Sequence, residues 1–215
     1  MKIEILIADD HAIIRDGLKK IIEDTDDLQV SGEASNGNTV IEKIRQRDWD
    51  LIILDLSMPG RSGIDLIKQI KSEKPKIPVL IFSMHPEEQY AVRTIRAGAS
   101  GYLSKESDSD LLLPAIRKVA QGVMFISANV AQLLAADVSP DSKNQHLHHK
   151  LSNREYEIFY KIVCGESMTD IAEDLHLSIK TISTHKTHML EKLGLSNQVD
   201  LVRYAVEHKL FDFSE

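Results

Sequence analysis

The sequence predicts an α/β protein: a doubly wound, five-stranded parallel sheet followed by a small all-α domain of four helices. Three observations carry that expectation. Five apolar runs of strand length occur before Gly122, each separated from the next by a helix-patterned stretch, the alternation of a parallel sheet with crossover helices. From Leu151 onward the periodicity is helical throughout. Between the two lies a polar, aperiodic segment containing Pro140.

In chain order, the strands are expected at Ile5–Ala8, Val30–Ala34, Leu51–Leu54, Val79–Phe82 and Gly101–Leu103. The first helix places Ile13, Ile14, Gly17, Leu18, Ile21 and Ile22 on one face, and Leu111, Leu112, Ala115, Ile116, Val119 and Ala120 repeat that spacing further on. Ala128 to Ala136 has the pattern of one more short helix, and Val138 to Lys150 reads as linker. His146, His148 and His149 have no carboxylate or cysteine framework beside them, so they read as solvated linker residues rather than metal ligands. The domains are therefore expected at 1–122, a linker with a short helix at 123–150, and 151–215.

In the last domain Ser152 and Glu155 form an S-x-x-E capping box, and Ile158, Ile162 and Val163 continue a helix that Gly165 ends. Cys164 falls inside that apolar pattern and is expected in the core. Met168–Leu175 makes a second helix, and His176-Leu177-Ser178 a turn. Ser178 caps a third helix running to about Leu193, and Asn197 to His208 forms a fourth.

Composition narrows the function classes. A hydrophobic fraction of 42% and a charged fraction of 27% are ordinary for a soluble protein. No apolar run approaches the ~18 residues of a membrane span, and Met1-Lys2-Ile3-Glu4 has no signal-peptide character. With a single cysteine, the expected setting is the reducing cytoplasm, without membrane attachment. The net charge of −7 argues against an indiscriminate polyanion binder. Residues 151–215 hold 7 Lys+Arg against 11 Asp+Glu, so a nucleic-acid surface there must be a local patch.

The chemistry gathers at the carboxyl ends of the strands, where open parallel sheets place their ligands. Asp9 and Asp10 follow the first strand, Asp55 the third, Ser83 ends the fourth, and Lys105 follows the fifth. Singly, each has a plain explanation: a cap, a turn, a surface lysine. Jointly, three converging carboxylates repel one another unless a cation is present, and Mg²⁺ suits an all-oxygen site that also holds phosphate. An aspartate beside Mg²⁺, with a lysine and a hydroxyl, has the parts for phosphoryl transfer to a carboxylate.

The motifs IADDH at 7–11, LDLSMPG at 54–60, FSMH at 82–85 and GYLSK at 101–105, in that order, resemble the flavodoxin-like receiver domain of two-component response regulators. The resemblance implies Asp55 as phosphoacceptor, Asp10 as a direct Mg²⁺ ligand, Asp9 as one acting largely through water, and Ser57 as donor of a backbone carbonyl. It implies Ser83 and Tyr102 as a switch pair and Lys105 as the contact to phosphoryl oxygens. Ser57 and His85, each two residues beyond a site residue, would tune dephosphorylation. Plainer readings stay open: Tyr102 packing on the sheet without switching, His85 as an ordinary loop residue. His11 reads as the start of the helix rather than a ligand. Haloacid-dehalogenase-like phosphatases use a similar set, but they need a second Asp two residues past the nucleophile, where this chain has Ser57. An enzyme acting on external phosphate esters is therefore not expected; the only catalysis implied is of the chain's own phosphorylation and dephosphorylation.

The stretch from Thr169 to Leu193 fits a helix-turn-helix: short helix, tight turn, second helix with an outer face. Ile182, Met189 and Leu193 face inward, with His185 on the same side. Lys180, Thr181, Ser183, Thr184, Lys186, Thr187 and His188 are the candidate DNA contacts, the lysines for phosphates and the hydroxyl residues for bases. A purely protein-binding helical module remains the alternative. The segment LSNREYEIFYKIVCGESMTDIAEDLHLSIKTISTHKTHMLEKLGL is similar to LuxR-type helix-turn-helix domains. It departs from many of them in lacking a basic residue at Ser183. Together the two resemblances point to the NarL/FixJ class of response regulators. They imply a cognate histidine kinase, double-stranded promoter DNA and a homodimer when phosphorylated as partners. Val199, Val202 and Ala205 are the expected dimer contacts, although core packing explains the same stripe.

Overall fold

Strands rich in Ile, Leu and Val with both faces apolar form only where helices cover both sides, and that is the arrangement found. The computed structural model describes residues 2–59, 63–138, 147–175, 177–208 and 210, without the side chains of 88, 89, 136–138, 149 and 153. Gly60, Pro140, His146 and His176, named above, lie outside the described residues, as does the side chain of His149. By its internal contacts the chain divides into two units, 1–135 and 136–215.

The first unit alternates β1 (Ile3–Ala8), α1 (Ala12–Glu23), β2 (Leu28–Ala34), α2 (Gly37–Gln46), β3 (Leu51–Leu54), α3 (Gly63–Glu73), β4 (Val79–Ser83), α4 (Glu87–Arg96), β5 (Gly101–Ser104) and α5 (Leu112–Ala120). The parallel sheet has the order β2-β1-β3-β4-β5, so the winding reverses between the central strands β1 and β3. One face buries Ile5, Ile7, Leu18, Ile22, Leu51 and Ile53 with Ala115, Ile116 and Val119 of α5. The pairing of β1 with β2 shifts register between Ile5 and Leu6, which pair with Val30 and Gly32. Residue 32 has no room for a side chain because the Trp49 indole occupies that space. The helix α6 (Ala128–Val138) follows.

Two apolar stripes turn out narrower than expected. Ile14, Leu18 and Ile22 of α1 pack inward, but Ile13 is 85% exposed and Ile21 40%. A helix rotates about 100° per residue, so Ile21 falls on the rim of the stripe and Ile13 on the outward face. Leu111 is exposed as well, because it closes a 3-10 turn before α5 instead of joining the helix.

The second unit contains α7 (Asn153–Val163), α8 (Met168–Asp174), α9 (Ile179–Leu193) and α10 (Gln198–Glu207). Ser152 and Glu155 complete their capping box, Ser178 caps α9, and Gly194 ends α9 in the left-handed region at φ +67°. Ser167 and Asp170 form a second capping box on α8, which the sequence reading passed over. Cys164 is exposed, not in the core: it caps α7 one residue beyond the buried Ile162 and Val163, where the helix surface has turned outward. His148 also departs from the solvated reading. Residues Leu147–Lys150 form a 3-10 turn, and His148 is buried, its N–H donating to the Tyr204 hydroxyl at 3.2 Å and its Nδ1 lying 3.1 Å from the same oxygen. A polar run looks like linker until a tertiary partner, here Tyr204 on α10, satisfies one of its groups.

Candidate functional site

Asp9 and Asp55 are each placed by the end of a buried strand. The Asp9 N–H donates to Ala34 O (3.0 Å), and the Asp55 N–H to Ala8 O (2.8 Å), so the ends of β1, β2 and β3 hold one another. Asp9 and Asp55 are both almost fully buried, which is costly for carboxylates without compensation. Lys105 supplies it, with Nζ 2.6 Å from Asp9 Oδ2 and 2.9 Å from Asp55 Oδ2. The lysine is itself buried and its backbone N–H donates to Ser83 O at 2.9 Å. Burial pulls its pKa down, yet the Asp9 hydrogen bond and the Asp55 charge outweigh this and hold it above the ordinary lysine value.

A further cation fits the remaining ligand atoms. Asp9, Asp10, His11 and Asp55 each offer one such atom, all within 4.8 Å of one another. Asp55 Oδ1 is buried without a hydrogen-bond partner among the described residues, a state that natural proteins rarely leave uncompensated. Asp9 Oδ1 instead accepts from the His11 N–H at 2.8 Å. Asp10 stands nearer the surface, with Oδ1 2.8 Å from His11 Nδ1. His11 does cap α1, as the sequence suggested. Its ring nevertheless turns back to the carboxylates, which backbone position alone does not reveal.

The hydroxyl and aromatic residues gather at the same edge. Ser83 is buried, and its Oγ accepts weakly from the His85 N–H at 3.4 Å. The Tyr102 ring is buried, and its hydroxyl donates to the His85 carbonyl at 2.8 Å. His85 Nε2 lies 3.1 Å from Ser57 Oγ and its ring stacks on Tyr90 at 4.3 Å. The residues two places beyond Asp55 and Ser83 thus meet across the mouth of the pocket. Sequence placed both there but not their mutual hydrogen bond.

The second unit presents an outer face on α9. Ile182, Met189 and Leu193 are buried as expected, and His185 is half-buried. Desolvation, helped by the Arg154 charge, lowers the His185 pKa below the usual imidazole value. Lys180, Ser183, Thr184, Thr187 and His188 are exposed, while Thr181 and Lys186 are half-buried. Thr181 Oγ1 bonds the Ser178 cap at 2.8 Å. Thr184 and Thr187 donate their hydroxyls to Lys180 O and Ser183 O, at 3.0 and 3.1 Å, so their methyl groups and lone pairs are what they can offer a ligand. Lys186 Nζ is bonded to Gln198 Oε1 at 2.7 Å, and Lys192 Nζ is held by Glu155 at 2.8 and 2.7 Å. Among the described residues, Lys180 is the lysine of α9 without such a partner.

On α10, Val199 is 68% exposed and Val202 half-buried. Ala205 is fully buried, in the core position that packing within the unit also allowed, so its side chain has no surface to offer a second copy. Val206, which the sequence reading did not name, is exposed instead.

One unit is a parallel sheet with an acidic pocket and a lysine at its switch point, and the other is a capped helix-turn-helix: the class these define is a receiver joined to a DNA-binding module. Comparison with known proteins agrees over both parts. Residues 5–117 match the response regulator receiver domain, and residues 149–205 match the luxR family of bacterial regulatory proteins. Oxygen regulatory protein NreC of Staphylococcus haemolyticus is 36% identical over 216 residues, covering 98% of this chain and 100% of that protein. Response regulator UvrY of Escherichia coli K12 is 32% identical over 208 residues, covering 97% and 95%. Among solved structures, RcsB from Salmonella enterica serovar Typhimurium, bound to promoter rprA in the presence of phosphomimetic BeF3⁻, superposes with a TM-score of 0.66 at 29% identity, covering 95% of this chain and 98% of that one. The chain belongs to the NarL/FixJ class of two-component response regulators, DNA-binding transcription regulators built from a receiver and a LuxR-type helix-turn-helix. No helix among the described residues is long and apolar enough to cross a membrane.

Proposed function

We propose that Asp55 is the phosphoacceptor of this regulator and that a histidine kinase is its donor. The observation that carries the assignment is the asymmetry of the Asp55 carboxylate: Oδ2 is held by Lys105 while Oδ1 has no hydrogen-bond partner among the described residues. In the transfer, an Asp55 oxygen attacks phosphorus, the P–N bond of a phosphohistidine breaks, and a proton returns to the departing imidazole. Lys105 balances charge on the phosphoryl oxygens, and the buried Ser83 hydroxyl donates to one of them. Asp10, Asp55 and the Ser57 carbonyl would hold Mg²⁺, with Asp9 acting through water because its oxygens already serve Lys105 and the His11 N–H. When bound there, the ion would supply charge neutralisation between the carboxylates and the phosphoryl group.

Engaging Ser83 draws on the loop that carries His85, to whose carbonyl Tyr102 is bonded. The switch is then a shift in population toward the state that binds the phosphoryl group better, so some DNA binding persists without it. Ser57 and His85 lie over the approach of water and set the lifetime of the acyl phosphate. In the second unit Lys180 contacts a phosphate, Ser183, Thr184, Thr187 and His188 face the bases, and Val199 and Val202 join two copies on paired half-sites of promoter DNA in the cytoplasm. The domain limits stay at 1–122 and 151–215, with 123–150 between them.

Incubation with acetyl phosphate and Mg²⁺ tests the site by intact mass. Wild type is expected to gain one phosphoryl group and Asp55→Asn none. A phosphoryl group gained by Asp55→Asn as readily as by wild type would overturn the assignment. Selection of genomic fragments at two salt concentrations tests the DNA reading. Sequence-specific, salt-sensitive enrichment is expected, whereas its absence would leave the helical unit a protein-binding module.

A further inference from the structure

Beyond α5 the chain returns along the open edge of the sheet. The Tyr102 N–H donates to Phe125 O (3.0 Å) and the Phe125 N–H to Ser100 O (3.1 Å), a single parallel bridge of Gly101 with Phe125. The close approach needs a glycine, since a Cβ on residue 101 would lie 2.8 Å from Phe125 O. Two residues later Ser127 starts α6: its Oγ accepts from the Val130 N–H at 3.2 Å and its carbonyl from the Ala131 N–H at 3.0 Å. The same Ser127 hydroxyl donates to the carboxylate of Glu87, the first residue of α4. Glu87 therefore stands where the N-terminal ends of two helices meet, each favouring an anion. Val130, fully buried, fixes the first turn of α6.

Both anchors of this segment are linked to His85, which bonds Ser57 near Asp55. Tyr102 is bonded through its side chain to His85, and through its backbone to Phe125. Glu87 is two residues past His85, whose ring bonds Ser57. The start of α6 is thus tied to β5 and to α4 by one backbone bridge and one side-chain hydrogen bond. Hydrogen bonds weaken steeply as angle and distance depart from ideal, so a sub-ångström shift of either anchor is enough to change how α6 begins.

We propose that residues 125–130 are the element through which the state of the pocket is passed to α6: Tyr102 acts through the Phe125 bridge and α4 through the Glu87–Ser127 bond. The inference rests on the phosphoryl reading above, and Ser127 and Glu87 are positioning residues with no part in the transfer itself. A two-state element biased from one site and felt at another is what coupling requires.

Hydrogen exchange of the full chain, with and without beryllofluoride and Mg²⁺, tests it. In wild type, peptides covering 7–11 and 55–59 become protected, and exchange at Phe125, Val130 and Ala131 changes about fivefold or more, the lower end of usual coupling. In Ser127→Ala and Glu87→Ala the pocket is still protected and Phe125 still responds through Tyr102, but the response at Val130 and Ala131 is lost; Ser127→Thr, which keeps the hydroxyl, restores it. Glu87→Ala leaves the α6 cap in place, so its loss of response separates the link from the cap. Unchanged exchange at Phe125 and Val130 in a protected wild type, or a wild-type response at Val130 and Ala131 in Glu87→Ala, overturns the proposal. Absence of protection at 7–11 and 55–59 overturns the phosphoryl reading and this inference with it.

Discussion

The acidic pocket and the outer face of α9 are built on opposite principles. In the pocket, Asp9, Asp55 and Lys105 are buried and tied to one another, so each charge is explained by its neighbours. On α9, Lys180, Ser183, Thr184, Thr187 and His188 lie in solvent, and most hydrogen bonds there are local ones along the helix. A site of the kind proposed for the pocket must meet the cost of desolvation before its ligand arrives, and its residues are interdependent. On the proposed reading of α9, a surface that meets DNA keeps its donors and acceptors available and leaves the energy to the complex. Substitutions should therefore act on stability at the first and on binding at the second.

The largest effect is expected at the pocket. Lys105→Ala leaves two buried carboxylates facing each other, and removing one partner of a buried pair costs about 3–5 kcal/mol. Urea unfolding of the first unit should show the loss, and added Mg²⁺ should recover more of it in the variant than in wild type. Equal losses for Lys105→Ala and Lys180→Ala would erase the contrast.

The inner face of α9 gives the next effect. Ile182→Ala removes a fully buried side chain and is expected to cost about 2–5 kcal/mol, seen in the unfolding of the second unit. One turn away the helix cap is worth less: Ser178→Ala gives up the Thr181 N–H and Thr181 hydroxyl contacts, at about 1 kcal/mol. Lys180→Ala should leave stability unchanged. It should weaken DNA binding uniformly across sequences and reduce the salt slope by about 1, measured by titration at several salt concentrations.

The smallest expected effect is one of pH. His185 has a folded pKa below its unfolded value of 6.5, so the unfolded chain binds more protons between the two. The stability involved is fully present above the unfolded pKa and falls as pH drops through it toward the folded value. Denaturation midpoints of the second unit at about pH 7.5 and about pH 5.5 should differ in that direction, and His185→Gln should shrink the difference. The pocket offers no matching loss in that window through Lys105, whose pKa moves upward instead.

Sequence made the pocket legible because each residue follows directly on an apolar strand. Ile5–Ala8, Leu51–Leu54 and Val79–Phe82 announce themselves, and Asp9, Asp55 and Ser83 must then lie at one edge of the sheet. The caps Ser152, Ser178 and Gly194 were equally plain, being local hydrogen-bond or φ requirements. Where position depends on a partner far along the chain, the reading failed. His148 was buried by a hydroxyl 56 residues away, while Cys164, Ile13 and Leu111 fell outside their stripes through the rotation or ending of their own helices, and Ala205 took the core position its stripe also allowed.

What the sequence by itself determined was the alternation of strands and helices, the edge at which the acidic residues and the lysine collect, and the helix-turn-helix. These follow from periodicity and from contacts within a few residues. Only the tertiary structure decided that Asp55 keeps one oxygen without a partner among the described residues while Lys105 holds the other, that His85 meets Ser57, and that Ser127 is bonded to Glu87. Those pairings join side chains 28 to 50 residues apart, and a hydrogen bond formed across such a distance is chosen by packing, which no local pattern records.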